Sequence, residues 1–388
     1  MKSANPLISS LGTTVFEVMS ALAREHQSVN LGQGFPDDKG PEEVRRAAAE
    51  YLVNGHNQYP PMMGIPELRQ AVAEHAKRFQ GLDVDWQTEV LVTSGATEAL
   101  GDCLFGLIEP GDEVVLIEPL YDSYLPIVRR AGGIPRLVRL EPPTWRLPRE
   151  ELAAAFSDRT QLILFNTPMN PCSKVFDREE LQFIADLCLK YDAYAICDEV
   201  YEHIIFDKRQ HLSIMTLPGM RERTARIGSA GKSFSVTGWK VGYITASADL
   251  LKPIAKTHQF MTFTTPPNLQ WGAATGLRLG DTYYETLSGE MQRKRDHLAS
   301  ALARIGFEIL PAEGTYFVTT DFRPLGFNGT DEDFCRHITT EARVTAVPVS
   351  AFYDDPGNAP RHFARFCFCK HDSTLDSAIE RLEMHFGR

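Results

Sequence analysis

The chain has 388 residues, 43% hydrophobic and 23% charged, a balance typical of folded globular proteins and unlike disordered or membrane compositions. Its formal charge of −11 gives no sign of the basic face with which a nucleic-acid binder displaces counterions. The seven cysteines, Cys103, Cys172, Cys188, Cys197, Cys335, Cys367 and Cys369, are scattered and odd in number, so they spell neither a disulfide framework nor a zinc spacing and point to a reducing compartment.

Residues 1–30 carry Glu17, Arg24, Glu25 and His26 among their apolar positions, which argues against a signal peptide. With no uninterrupted apolar run approaching the ~18 residues of a membrane helix, the expectation is a cytoplasmic protein with no membrane partner. Val15, Val18, Met19 and Leu22 recur at helical spacing and predict an amphipathic helix ahead of a short strand, Val29–Leu31. Residues 66–79 predict a helix opened by Pro66. Short β-branched runs then alternate with helical patterns: 89–93, 114–118, 161–165, 193–197, 226–229 and 243–246, with a helix over 178–190. That alternation predicts βα units around a mostly buried sheet. From Asp281 the pattern is a helix through Arg304, strands at 307–310, 316–320 and 363–368, and a final helix over 374–386. The expected organisation is a large domain over 45–280 and a smaller one built from 1–44 and 281–388.

Three motifs carry chemistry. Asp198 and Tyr201, in Cys197-Asp198-Glu199-Val200-Tyr201, sit just past a strand's carboxyl end, where open α/β sheets place ligands. A helix cap and a core tyrosine would look the same, yet a pyridine cofactor needs both, a carboxylate for its ring nitrogen and a phenol for its ring oxygen. Lys232 lies in Gly228-Ser229-Ala230-Gly231-Lys232-Ser233, after another strand, where it could form an imine and then shuttle a proton. A surface lysine is the competing reading, and a P-loop fails because its first glycine would fall on Arg226. Thr93-Ser94-Gly95-Ala96-Thr97-Glu98 is a strand end turning into a helix, which serves equally as a phosphate cradle or a plain helix start. Gly32-Gln33-Gly34 does not complete a dinucleotide fingerprint.

Together with Asn30–Asp37, Gly95–Leu100 and Thr237–Tyr243, these motifs resemble the class I, fold-type I aminotransferases over nearly the whole chain, the methionine, kynurenine and glutamine-phenylpyruvate branch in particular. The resemblance implies an α/β fold whose large domain holds a mostly parallel seven-stranded sheet, with a smaller α+β domain from both chain ends, and pyridoxal 5'-phosphate as cofactor. It implies Lys232 as the Schiff-base lysine, Asp198 as partner of the ring nitrogen, Tyr201 and Asn170 at the ring oxygen and Tyr121 stacked on the ring. Ala96, Thr97, Ser229 and Lys240 match phosphate contacts, and Tyr59 matches a residue reaching the neighbouring subunit's phosphate, which implies a homodimer with shared sites. Arg365 matches the substrate-carboxylate arginine, beside the Gly34 backbone. Cys172-Ser173 departs from the usual Thr-Gly. The implied activity is ping-pong transfer of an amino group from an α-amino acid to an α-keto acid. Leu251–Gly276 has no arginine but holds Phe260, Met261 and Phe263, so methionine, aromatic or glutamine-like substrates are expected over aspartate, with His258 or Lys256 left as groups that could serve an acid. A cysteine-conjugate C–S β-lyase and a non-catalytic ligand-sensing domain are the alternatives.

Overall fold

The computed structural model describes residue 2 and residues 4–387. Its strands in chain order are β1 (Val29–Asn30), β2 (Val90–Thr93), β3 (Glu113–Glu118), β4 (Ile134–Arg139), β5 (Thr160–Asn166), β6 (Tyr194–Asp198), β7 (Thr224–Ser229), β8 (Gly242–Thr245), β9 (Glu308–Ile309), β10 (Phe317–Asp321), β11 (Val344–Thr345), β12 (Val347–Pro348) and β13 (Phe363–Cys367). A seven-stranded sheet runs in the order β2-β8-β7-β6-β5-β3-β4, parallel except for β8, which is antiparallel to both neighbours. Successive residues of its central strands enter opposite cores: Val114, Leu116, Leu162 and Leu164 join one, Val115, Ile117, Ile163 and Phe165 the other. Burial on both faces is why these strands are continuous apolar runs.

Strand β4 escaped the sequence pattern. It is an edge strand with Pro135, Arg136 and Arg139 and mostly accessible side chains, so it lacks the apolar run of its neighbours, and only pairing with β3 holds it extended. Local signals serve the helices better. Pro66 opens the helix Pro66–Gln80 and Gly81, at φ 69°, closes it; Asp177 and Glu180 form a capping box on Arg178–Lys190.

The remaining strands form a four-stranded sheet, β12-β13-β10-β9, and a two-stranded one in which β1 pairs in parallel with β11, Val29 opposite Val344. The N-terminal segment is thereby tied to the C-terminal third. The stretch Pro6–Glu25 has the length and apolarity of a membrane span, against the sequence expectation, but it folds as two helices, Pro6–Ser10 and Val15–Glu25, with residues 11–14 between them. The second buries Met19, Ser20 and Ala23.

Candidate active site

Parallel strands present their carboxyl ends along one rim, and register makes the ends of β5, β6 and β7 neighbours. Asn166 lies opposite Asp198, and Asp198 opposite Ile227 two residues before Ser229. Beyond Ser229 the chain makes a single helical turn, Ala230–Ser233, that carries Lys232. Asp198 and Lys232 therefore reach one cavity of about 300 Å³. It is lined by every residue that the resemblance assigns to cofactor or substrate except Tyr59: Gly34, Ala96, Thr97, Tyr121, Asn170, Asp198, Tyr201, Ser229, Lys232, Lys240 and Arg365.

At one end, buried Asp198 accepts hydrogen bonds from the Tyr124 hydroxyl (2.8 Å) and the Val200 amide (3.3 Å). Burial pushes its carboxyl up to about 6 against these bonds and the Lys232 charge. Lys232 Nζ donates to the Gly34 carbonyl (3.2 Å) and lies 5.4 Å from the centre of the Tyr201 ring. Its pKa is pushed down by burial, the shift that frees an amine to act as nucleophile or base.

In the same cavity's wall the helix Ala96–Leu107 begins behind Gly95, whose φ of 80° suits glycine. A Cβ there would come within 3.4 Å of Lys240 Cε and Nζ, so the lysine lies over the helix start. Free N–H groups, a positive dipole end and an ammonium make an anion site, with the Ser229 hydroxyl lining the same cavity.

Arg365, on β13, is fully buried and donates to Asn170 Oδ1 (2.6 Å) and the Gly32 carbonyl (2.8 Å), while its Nε has no partner. Its guanidinium lies 3.8, 4.9 and 5.3 Å from the centres of the Phe317, Phe352 and Phe16 rings. Burial pushes it down to about 10, and no carboxylate among the described residues forms an ion pair with it. A Cβ on Gly34 would stand within 2.8 Å of the Phe317 ring, so glycine keeps its backbone open to this corner.

Sequence reasoning missed Tyr124 and the ring box around Arg365. Tyr124 left one faint signal, its place three residues after Tyr121; Phe16, Phe317 and Phe352 come from three distant segments. His258 cannot serve an acidic substrate as the sequence allowed, because it is fully buried against Glu98 and the Met62 carbonyl. Lys256 is exposed and bonds Gln259 (3.0 Å). Tyr59, 84% exposed, stands outside the cavity with its ring against Phe263 (5.6 Å). Ser173 adopts a left-handed φ of 60°, and its hydroxyl bonds Thr315 Oγ1 (2.8 Å) and the Phe317 carbonyl (2.7 Å), so serine holds the turn that delivers Asn170 to Arg365.

The profile of the family Aminotransferase class I and II matches residues 26–382. The chain belongs to this family. It is 41% identical to the methionine aminotransferase of Escherichia coli (strain K12) over 97% of its length and 98% of that protein's. It is 39% identical to the kynurenine–oxoglutarate transaminase of Dictyostelium discoideum, over 96% and 94%. The solved structure of N-succinyldiaminopimelate aminotransferase from Mycobacterium tuberculosis superposes with a TM-score of 0.95 at 41% identity, over 98% of this chain and all of that one. The protein is thus an amino-acid aminotransferase of fold type I that uses pyridoxal phosphate. Nothing favours the β-lyase or ligand-sensing alternatives. The cavity's groups fit the cofactor: a carboxylate that contacts no cation among the described residues, an anion cradle and an amine share one space.

Proposed function

We propose that this aminotransferase accepts methionine, aromatic or glutamine-like amino acids in a ping-pong reaction. Bound pyridoxal phosphate supplies an aldehyde and a ring that takes up the electrons freed when the α-proton leaves. Asp198 holds the ring nitrogen protonated, and in doing so gains the cation its buried carboxylate lacks. Tyr201 and Asn170 donate to the ring oxygen, and Tyr121 stacks on the ring. Ala96, Thr97, Ser229 and Lys240 hold the phosphate. Lys232 would hold the cofactor covalently, and its freed amine would be the base that takes and returns the proton of the substrate's α-carbon. Arg365 grips the substrate carboxylate as a bidentate fork, with the Gly34 backbone beside it. The observation that carries this reading is that Asp198, Lys232 and Arg365 share one cavity, and none of them has a counter-charge in contact.

Phe16, Phe35 and Phe317 in the cavity wall support apolar or sulfur-containing side chains, as does the similarity to enzymes named for methionine and kynurenine. Comparing turnover of methionine, phenylalanine, glutamine and aspartate tests this; aspartate as the fastest substrate contradicts it. The same proposal includes a homodimer in which Tyr59 reaches the neighbouring phosphate, supported by the apolar surface of Tyr59, Phe260, Met261 and Phe263. Sedimentation at micromolar concentration should give twice the chain mass. A cytoplasmic location is supported by seven free, buried cysteines, and the division into 45–280 against both chain ends by the two sheet systems.

A further inference from the structure

His258 sits on the helix Ala248–Met261, between two parts of the molecule that concern the cofactor's phosphate. Its Nδ1 is 2.9 Å from Glu98 Oε1 and its Nε2 is 3.0 Å from the Met62 carbonyl. Each ring nitrogen thus has an oxygen within hydrogen-bond distance, and Asp102 Oδ2 lies 3.7 Å from Nδ1. Glu98 is held by several donors. Burial would raise its carboxyl, but hydrogen bonds from His258, Thr262 and the Ser94 amide hold it below its usual range. Asp102, one turn further along, has no hydrogen-bond partner on either oxygen among the described residues; its Oδ2 lies 3.7 Å from His258 Nδ1, and burial together with Glu98 pushes its carboxyl up to about 8. His258 thus links largely buried Glu98 to the Met62 carbonyl, with Asp102 beside them.

Each end of this pair leads to a phosphate contact. Glu98 lies in the first turn of the cradle helix and ties down the Ser94 amide in the turn that precedes Ala96 and Thr97. Met62 lies three residues after Tyr59, and Tyr59 packs on Phe263, five residues after His258. We propose that Glu98 and His258 are a positioning pair that braces the phosphate cradle of one site and, through Met62, the loop that offers Tyr59 to the other. The first half rests on the proposed phosphate cradle, the second on the proposed shared dimer. Neither residue touches the cofactor; both act through the backbone they hold.

The test compares two cofactors on unloaded enzyme. Pyridoxal phosphate needs the cradle, whereas pyridoxal, lacking the phosphate, does not. Glu98→Gln and His258→Leu should each raise the dissociation constant of pyridoxal phosphate about tenfold, the scale of one charge-assisted hydrogen bond, and that of pyridoxal less than about twofold. Asp102→Asn, at the same depth, should leave both unchanged. Equal weakening of both cofactors, no weakening of either, or loss of the native circular dichroism spectrum in Glu98→Gln overturns the proposal, since the pair would then only stabilise the fold. Tyr59→Phe separates the two halves. If it weakens pyridoxal phosphate and couples non-additively with His258→Leu, the brace spans both sites. If it has no effect, the shared-site reading fails and the bridging half with it, while the cradle half stands on the other variants.

Discussion

Two sets of buried charges meet at the same strand ends and are handled in opposite ways. Behind β6 and β7, Arg226 donates to Glu199 (2.5 Å) and to Glu202, and Glu199 also accepts from Ser213 Oγ (2.6 Å) and bonds His211 (2.9 Å). Burial would raise both carboxyls, yet the Arg226 guanidinium holds them below their usual range. On the cavity side, one residue from Glu199, Asp198 has a phenol and an amide for partners, Lys232 a carbonyl, and Arg365 an amide oxygen and a carbonyl. Charges neutralised within the chain hold its shape, whereas those left with neutral partners are the ones the proposed function assigns to cofactor and substrate.

The largest expected effect follows from removing the amine. Lys232→Ala should lower transamination by at least about 10³-fold, the scale of a lost covalent base, with cofactor retained only non-covalently. Steady-state rates and the absorption spectrum would show it, and a fully active variant breaks the account.

The two buried arginines give the sharpest contrast. Arg226→Met leaves Glu199 and Glu202 buried without their arginine and should destabilise the unloaded protein by about 3–5 kcal/mol in urea unfolding. Arg365→Met removes a cation that lacks a carboxylate, so stability should stay within about 1 kcal/mol while the KM for amino acid rises roughly 100-fold. Equal destabilisation by both would erase the distinction.

Asp198 predicts a pH dependence. Its carboxyl titrates near 6 in the folded, unloaded protein against an ordinary value of 3.8, so the fold binds that proton more tightly than the unfolded chain does. Its stabilising contribution is full below the ordinary value and is lost as pH rises through 6, a change on the order of 3 kcal/mol. Asp198→Asn should remove that slope from unfolding curves. Affinity for pyridoxal phosphate should move the opposite way, strengthening as pH rises through 6 and the carboxylate forms.

The smallest effect concerns Ser173. Serine at a left-handed φ costs about 1 kcal/mol relative to glycine, and its two buried hydroxyl bonds return about as much. Ser173→Gly should therefore leave the unfolding midpoint nearly unchanged.

What the sequence revealed and what it hid divide along physical lines. Asp198 and Lys232 were legible because each follows directly on an apolar strand, and the parallel sheet brings such ends to one rim. The anion cradle was legible as a glycine before a helix start. Strand β4 was hidden because an edge strand needs no apolar run. The rings around Arg365, the Tyr124 bond to Asp198 and the pairing of Glu98 with His258, 160 residues apart, were hidden because periodicity reports on one element at a time. These contacts arise only when elements pack.

The most direct test is chemical. Enzyme reconstituted with pyridoxal phosphate, reduced with borohydride and digested, should carry the cofactor's mass on the peptide containing Lys232, and prior addition of methionine should prevent that labelling. Labelling on another lysine, or none at all, would contradict the claim that the Lys232 amine is the cofactor's anchor.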